Sequence, residues 1–411
     1  MTEALITGMG VISSGGLSLE NYWNTLDRGS NTFRIIDRFP EKNLTVHVCS
    51  PIDDQAFVER FGGGPLSFAD RTPRYARAAV DQALANARLD ASTLNSLRVG
   101  LVMGSSVGCI AANAVNYLIA RSGKDTYPEG WTPSSFRDVD NHTVLHELGN
   151  AIGAGPMRLF VSNGCSTGTD AVGIGSQLVK WNLVDLCVVV GVEAPIDIIT
   201  LSAFNLIGAL NKTSEPLGAS KPFDKTRSGF VLGEGAGALV IENADLAKRR
   251  NITVQACVKG YATTTDAVHR TAPAPDGANA LRAVDLAIRR AGISRSKIDC
   301  VLAHATSTPV GDVVETRLIK RAFGAHSKQI TVTAIKSAVG HSSGASGALQ
   351  TIAGVLMIQH SRALPTHNLI TPDPECDLNY LPEGSKAMNI DNVMSMSFGF
   401  SGKNSIVVLG K

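Results

Sequence analysis

The chain has 411 residues, 44% of them hydrophobic and 18% charged, with a formal net charge of +2. That length and apolar content supply a sizeable core in two domains or one large duplicated one, and the near-neutral balance excludes a strong nucleic-acid binder. Few charges with 40 glycines exclude a disordered chain, and seven cysteines (49, 109, 165, 187, 257, 300 and 376) with no CxxC pair predict neither zinc nor disulfides.

In chain order, residues 3–12 read as a strand containing Gly8 and Gly10, with no basic region before it. Neither a signal peptide nor an apolar run of about 20 residues is expected, hence no membrane and a cytoplasmic location. Helices follow over 19–26 and Asp70–Asn86, then a strand Arg98–Met103 running into GSSVG at 104–108. Residues 110–155 break the alternation and are expected to form an inserted layer at a pocket or subunit contact. Next come a strand Met157–Val161, a helix ending near Trp181, and a strand over 186–194. In PFDKTRSGFVLGEGAGALVIEN (222–243) the GEGAG segment precedes a strand and lacks the GxGxxG spacing, so close backbone packing is expected rather than a nucleotide loop. The second half repeats the plan: strand 253–261, helix Ala278–Ala291, strand 299–305, helix Val313–Phe323, strand 330–337, and a helix within Gly340–Ile358.

Cys165 lies where a strand becomes a helix, a position at which backbone N–H groups and the helix dipole favour a thiolate. A buried, inert cysteine is the commoner fate, but Gly164, Ser166, Thr167 and Gly168 leave little to cover the sulfur. GCSTGTDAVGIG (164–175) matches GHSSGASGALQT (340–351) in the order glycine, reactive residue, two hydroxyls, glycine, helix, which sets Cys165 opposite His341. A duplication that brings both turns to one site is expected, in a fold of mixed sheets and helices.

Several motifs occur in one order: NGCSTGTDAVG, PFDKTRSGFVLGEGAG, AHATSTPVGD around His304, IKSAVGHSSGASG with Lys336 and His341, and SFGFSGKN with Phe398 and Phe400. On these the chain resembles a β-ketoacyl synthase of the thiolase fold over essentially its whole length. VEAPIDIITLSAF (192–204) and TPDPECDLNY (371–380) look most like the catalytic ketosynthase of type II polyketide systems, whereas TSTP (306–309) is more like the fatty-acid elongation enzymes. The resemblance implies an α/β, duplicated five-layer αβαβα sandwich, with residues 1–250 carrying Cys165 and residues 251–411 carrying His304, Lys336 and His341.

The chemistry implied is decarboxylative Claisen condensation. Cys165 would hold the acyl chain, with Cys165 and Phe400 N–H groups as oxyanion donors. His304 and His341 would serve the malonyl-derived enolate, with Lys336 supporting the second histidine. By the same resemblance Thr306 and Thr308 would bond the phosphopantetheine arm of acyl carrier protein, and Val107, Phe398 and Phe400 would line or gate the acyl pocket. No metal and no bound cofactor are implied. The partner would be acyl carrier protein, in a heterodimer with a chain-length-factor-like subunit or in a homodimer. Ala305, Ser401, Lys403 and Ser228 depart from the family pattern and bear on carrier recognition and chain length. A housekeeping fatty-acid elongation synthase is the alternative, ahead of a non-catalytic chain-length partner. A cysteine α/β-hydrolase would need glycines where Asn163 and Thr167 stand.

Overall fold

Strand β1 (Ala4–Ser13) explains its own glycines: a Cβ on Gly8 or Gly10 would lie 2.2 Å from Ala83 O or 2.0 Å from Ala79 O of helix α1 (Arg71–Asn86). The strand and helix therefore pack backbone to backbone. This computed structural model describes residues 2–30, 32–36, 45–63, 71–108 and 140–411. Cys109 and most of the inserted layer expected over 110–155 fall outside them; of that layer, a helix Asn141–Ala151 is seen.

The remaining strands of the main sheet are β2 (Val99–Gly104), β3 (Arg158–Val161), β4 (Leu186–Glu193), β5 (Gly235–Asn243), β6 (Ala256–Thr265), β7 (Cys300–Leu302), β8 (Thr331–Thr333), β9 (Asn392–Gly399) and β10 (Lys403–Gly410). Their spatial order is β8-β7-β9-β10-β6-β1-β5-β4-β2-β3. Each run of five strands has one topology: the first pairs antiparallel with the fifth, the fifth antiparallel with the fourth, and the fourth, second and third lie parallel. The two runs are joined at β1 and β6, where Leu5 and Ile6 lie opposite Cys257 and Ala256. The duplication expected from the matching turns is thus present in the strand order.

Two helices lie between the runs, α2 (Thr167–Lys180) and, from the second half, α5 (Ser346–His360). Helix α2 touches β2 and β4 on one side and β6 and β10 on the other; α5 touches β5, β9 and β10. Helix α1 covers the outer face of the first run, and α3 (Ala278–Ala291) that of the second, with α4 (Gly311–Phe323) against α3. This is the five-layer αβαβα sandwich. Strands with helices on both faces must be apolar on both. In β4, Cys187 and Val189 join the central core while Leu186, Val188, Val190 and Val192 pack towards α1.

The central helices cross closely because neither has a side chain at the crossing. A Cβ on Gly347 would sit 2.2 Å from Thr169 N, and one on Gly168 would sit 2.6 Å from Ala348 N. The GEGAG segment behaves as expected: a Cβ on Gly237 would lie 2.9 Å from Leu349 N. Two strands end earlier than their apolar runs. Beyond Leu302 the N–H groups of His304 and Ala305 donate to the Glu315 carboxylate at 2.6 and 2.7 Å instead of to a strand. Beyond Thr333 the chain turns into a short helix, Lys336–Val339, which carries Lys336 off the sheet.

Candidate active site

Cys165 precedes the first turn of α2, after Gly164 in the left-handed conformation (φ +58°) that lets the strand turn sharply into the helix. Thr167 fixes this turn: its hydroxyl donates to Gly164 O at 2.6 Å and accepts from Asn163 N at 2.7 Å. His341 holds the equivalent place before α5. His304 arrives from the end of β7. All three line one cavity of about 350 Å³, with Phe230, Thr306, Thr308, Phe398, Phe400 and Ser228 in the same wall.

The two imidazoles stand perpendicular, with ring centroids 5.4 Å apart. His341 Nδ1 is 2.9 Å from Ser346 Oγ, and Phe230 meets its ring edge-on at 5.1 Å. His304 Nδ1 is buried without a hydrogen-bond partner, an unmet group of the kind that costs about 1–3 kcal/mol unless a ligand completes it. Burial holds both imidazoles well below the ordinary histidine range, and the nearby Lys336 ammonium adds to the effect. Both rings are therefore neutral at physiological pH, each with one N–H to donate and one lone pair.

Lys336 is buried, not a surface ion pair: it is 3% exposed, and its ammonium donates to Gln350 Oε1 at 3.2 Å. The Gln350 amide cannot turn round, because its Nε2 donates to Leu302 O, Ser395 Oγ and Met396 O at 2.9–3.0 Å. Burial lowers Lys336, opposed by the charge of Glu315, and burial raises Glu315.

The thiolate expected from the helix terminus is not what this environment favours. Burial pushes the Cys165 thiol up to about 11; Lys336 and a hydrogen bond from Ser343 act in the opposite direction, and Glu193 acts with burial. Desolvation outweighs the nearby cation because Cys165 is buried, with only 9% of the residue exposed.

The other residues singled out by sequence fall around this centre. Thr306 and Thr308 present hydroxyls 3.2 Å apart, and Arg227 clamps their loop by donating to Thr308 O (3.0 Å) and Pro309 O (2.6 Å). Gly399 and Phe400 pass directly over the nucleophile turn: a Cβ on Gly399 would lie 3.3 Å from Cys165 N, and one on Gly164 would lie 3.9 Å from Phe400 N. Val107 stands apart from the cavity wall, with its N–H donating to Glu193 Oε1 at 3.1 Å, just before the undescribed residues 109–139. Two departures from the family pattern adopt backbone angles that glycine accepts more readily, Ala305 (φ +37°) and Ser401 (φ +63°). Ser401 N donates to Arg270 O at 2.7 Å, and Lys403 Nζ reaches Thr265 Oγ1 at 3.3 Å.

Sequence reading missed several buried polar residues. Glu193 accepts from Ser105, Ser106, Val107, Gly108 and Gly344, which ties the turn after β2 to the loop after His341. Its signal was an acid closing an otherwise apolar strand. Gln350 and Asp170 are similar polar residues on apolar helices, and Glu315 is a buried acid on the otherwise amphipathic α4. Among the described residues, no cluster of three or more His, Cys, Asp or Glu is placed to hold a metal, and no helix is long and apolar enough to cross a membrane.

Comparison with known proteins agrees with this geometry. Residues 1–247 match the β-ketoacyl synthase N-terminal domain and residues 255–370 the C-terminal domain. The chain is 35% identical to the granaticin polyketide putative β-ketoacyl synthase 1 of Streptomyces violaceoruber, covering 99% of this chain and 98% of the relative. It is 34% identical to 3-oxoacyl-[acyl-carrier-protein] synthase 2 of Staphylococcus aureus, covering 100% and 98%. Among solved structures, a type II polyketide acyl-carrier protein in complex with its ketosynthase bound to the hexaketide superposes with a TM-score of 0.93 at 28% identity, covering 100% and 99%. The ishigamide ketosynthase/chain length factor gives 0.89 at 29% identity, also covering 100% and 99%. With both domains matched in order around one Cys-His-His cavity, the chain belongs to the β-ketoacyl synthase family.

Proposed function

We propose that the protein condenses an acyl chain held on Cys165 with malonyl-acyl carrier protein in polyketide biosynthesis. The observation that carries this reading is the convergence of Cys165, His304 and His341, from the two halves of the fold, on one cavity.

The Cys165 sulfur adds to the acyl thioester carbonyl, and its proton leaves with the carrier thiol. Cys165 and Phe400 N–H groups receive the oxyanion. Because the thiol is held near 11, deprotonation accompanies attack, and a neutral histidine is the available acceptor. Malonyl-carrier protein then loses carbon dioxide. The electron pair of the broken C–C bond forms an enolate whose oxygen takes N–H donors from His304 and His341. The enolate carbon attacks the acyl-Cys165 carbonyl and the Cys165 thiolate departs. Lys336 keeps both imidazoles neutral, and hence able to act as donors and acceptors, by opposing a second positive charge.

Substrates would arrive on a phosphopantetheine arm along Thr306 and Thr308, past Ile207 and Val310, which are 51% and 60% exposed. Phe398 and Phe400 would shape or gate the acyl site, and Val107, which is not in that wall, would close the far end of the acyl pocket as the resemblance implies. We assign a cytoplasmic, dimeric enzyme, paired with a chain-length-factor-like subunit or with a second copy, and divided near residue 250 into a nucleophile half and a histidine half. The fatty-acid elongation reading is supported by the TSTP segment and by the 34% identity to the staphylococcal enzyme.

The test separates the two stages. Cys165→Ala should abolish both acyl loading and condensation. His304→Ala and His341→Ala should each still load Cys165, the remaining histidine taking the thiol proton, but lose condensation at least a hundredfold, because the enolate oxygen needs both donors. Condensation surviving in Cys165→Ala, or histidine variants that condense at the wild-type rate, would refute the assignment.

A further inference from the structure

Five residues beyond the nucleophile, on the first turn of α2, stands Asp170, a carboxylate 2% exposed to solvent. Four donors converge on it. Oδ2 accepts from Asn163 Nδ2 at 2.5 Å and, at 3.2 Å, takes a share of the Ser166 hydroxyl proton, which also goes to Asn163 O at 2.8 Å; these two residues flank Cys165 in the turn. Oδ1 accepts from the Tyr261 hydroxyl of β6 at 2.9 Å and from Ser405 Oγ of β10 at 2.6 Å. One oxygen thus holds the nucleophile turn, and the other holds the second half of the fold.

The place where it grips that half matters. Ser405 lies directly opposite Ser397 in the β9–β10 pairing, and Ser397 Oγ is 2.7 Å from the hydroxyl of Thr169, the neighbour of Asp170. The start of α2 therefore fastens both strands of this hairpin at one level. Phe400 sits at the hairpin's tip, three residues beyond Ser397. Gly399 and Phe400 then reach back over Gly164 and Cys165. The N–H groups of Cys165 and Phe400 belong to different halves, and no strand pairing fixes their separation.

We propose that Asp170 is a positioning residue that sets the spacing between the Cys165 and Phe400 N–H groups, by tying the nucleophile turn and the β9–β10 hairpin to one carboxylate. A carboxylate suits the place because every group facing it is a donor. An amide would turn an NH₂ towards Asn163 or towards Ser405. Distances at an oxyanion site must hold within a fraction of an ångström for the donors to act on developing charge.

This inference rests on the acyl-transfer reading above, and the experiment separates the two. Asp170→Asn is compared with wild type in two reactions of Cys165. One is acyl transfer from acyl-carrier protein, which passes through an oxyanion. The other is alkylation by iodoacetamide, in which sulfur displaces iodide and no oxyanion forms. The expected result is a 10- to 100-fold loss of acyl transfer with alkylation changed less than threefold. Tyr261→Phe and Ser405→Ala, which each remove one donor and keep the carboxylate, should lose 3- to 10-fold in acyl transfer alone, and they serve if Asp170→Asn does not fold. Acyl transfer at the wild-type rate in these variants, or a parallel loss of both reactions, would overturn the inference. If wild type accepts no acyl group from any carrier protein, it is the functional reading that fails.

Discussion

The chemistry of Cys165 is set by competition between its burial and its charged neighbours. A thiol at a helix N-terminus beside a lysine has two reasons to ionise, yet its burial keeps it protonated. Below its pKa the thiolate fraction rises tenfold for each pH unit. Iodoacetamide alkylation of Cys165 should therefore climb about tenfold per unit from pH 7 to pH 9.5 without levelling. Lys336→Met, which removes the cation that lowers the thiol, should be slower from pH 7 to about 8, with the difference closing above that as burial strips Lys336 of its own charge. A rate that plateaus near neutrality would show that the helix terminus and Lys336 prevail over desolvation. The side chains that meet in the cavity, Cys165, His304 and His341, were legible because their motifs are local. Asp170 and Gln350 were not, since their partners lie elsewhere in the chain: Ser405 is 235 positions from Asp170, and Lys336 is 14 from Gln350.

At the scale of elements, the site is built from a turn used twice, glycine then reactive residue then hydroxyls then helix. This pattern could be read in sequence, together with the existence and type of the elements around it. Helix α3 occupies the span predicted, Ala278–Ala291. Strand ends were less legible, because what stops β7 is the Glu315 carboxylate taking two N–H groups, and what stops β8 is a helical turn carrying Lys336. Where α2 and α5 cross, Gly347→Ala would press its methyl against the backbone of Thr169. It should destabilise the protein by about 3 kcal/mol, at the upper end of overpacking costs because backbone rather than a flexible side chain is in the way. Urea unfolding checks this, and an unchanged midpoint would mean that the helices can part without cost.

In the whole molecule, five strands in one order occur twice and enclose a pair of helices whose N-terminal turns meet. Composition and charge constrained the class of protein, and the matching turns implied the duplication. The resemblance already implied that the nucleophile and the histidines lie in different parts of the chain; the fold adds that the cavity they line lies where the two runs of strands meet. The central claim is that this cavity loads an acyl chain on Cys165 and elongates it. Intact-protein mass spectrometry after incubation with a panel of acyl-carrier proteins, alone and as a co-purified complex, tests it most directly. The account predicts an acyl mass increment on wild type and none on Cys165→Ala, discharged as a ketoacyl product when malonyl-carrier protein is added. An increment that persists in Cys165→Ala, or no increment on wild type even in the complex, would contradict it.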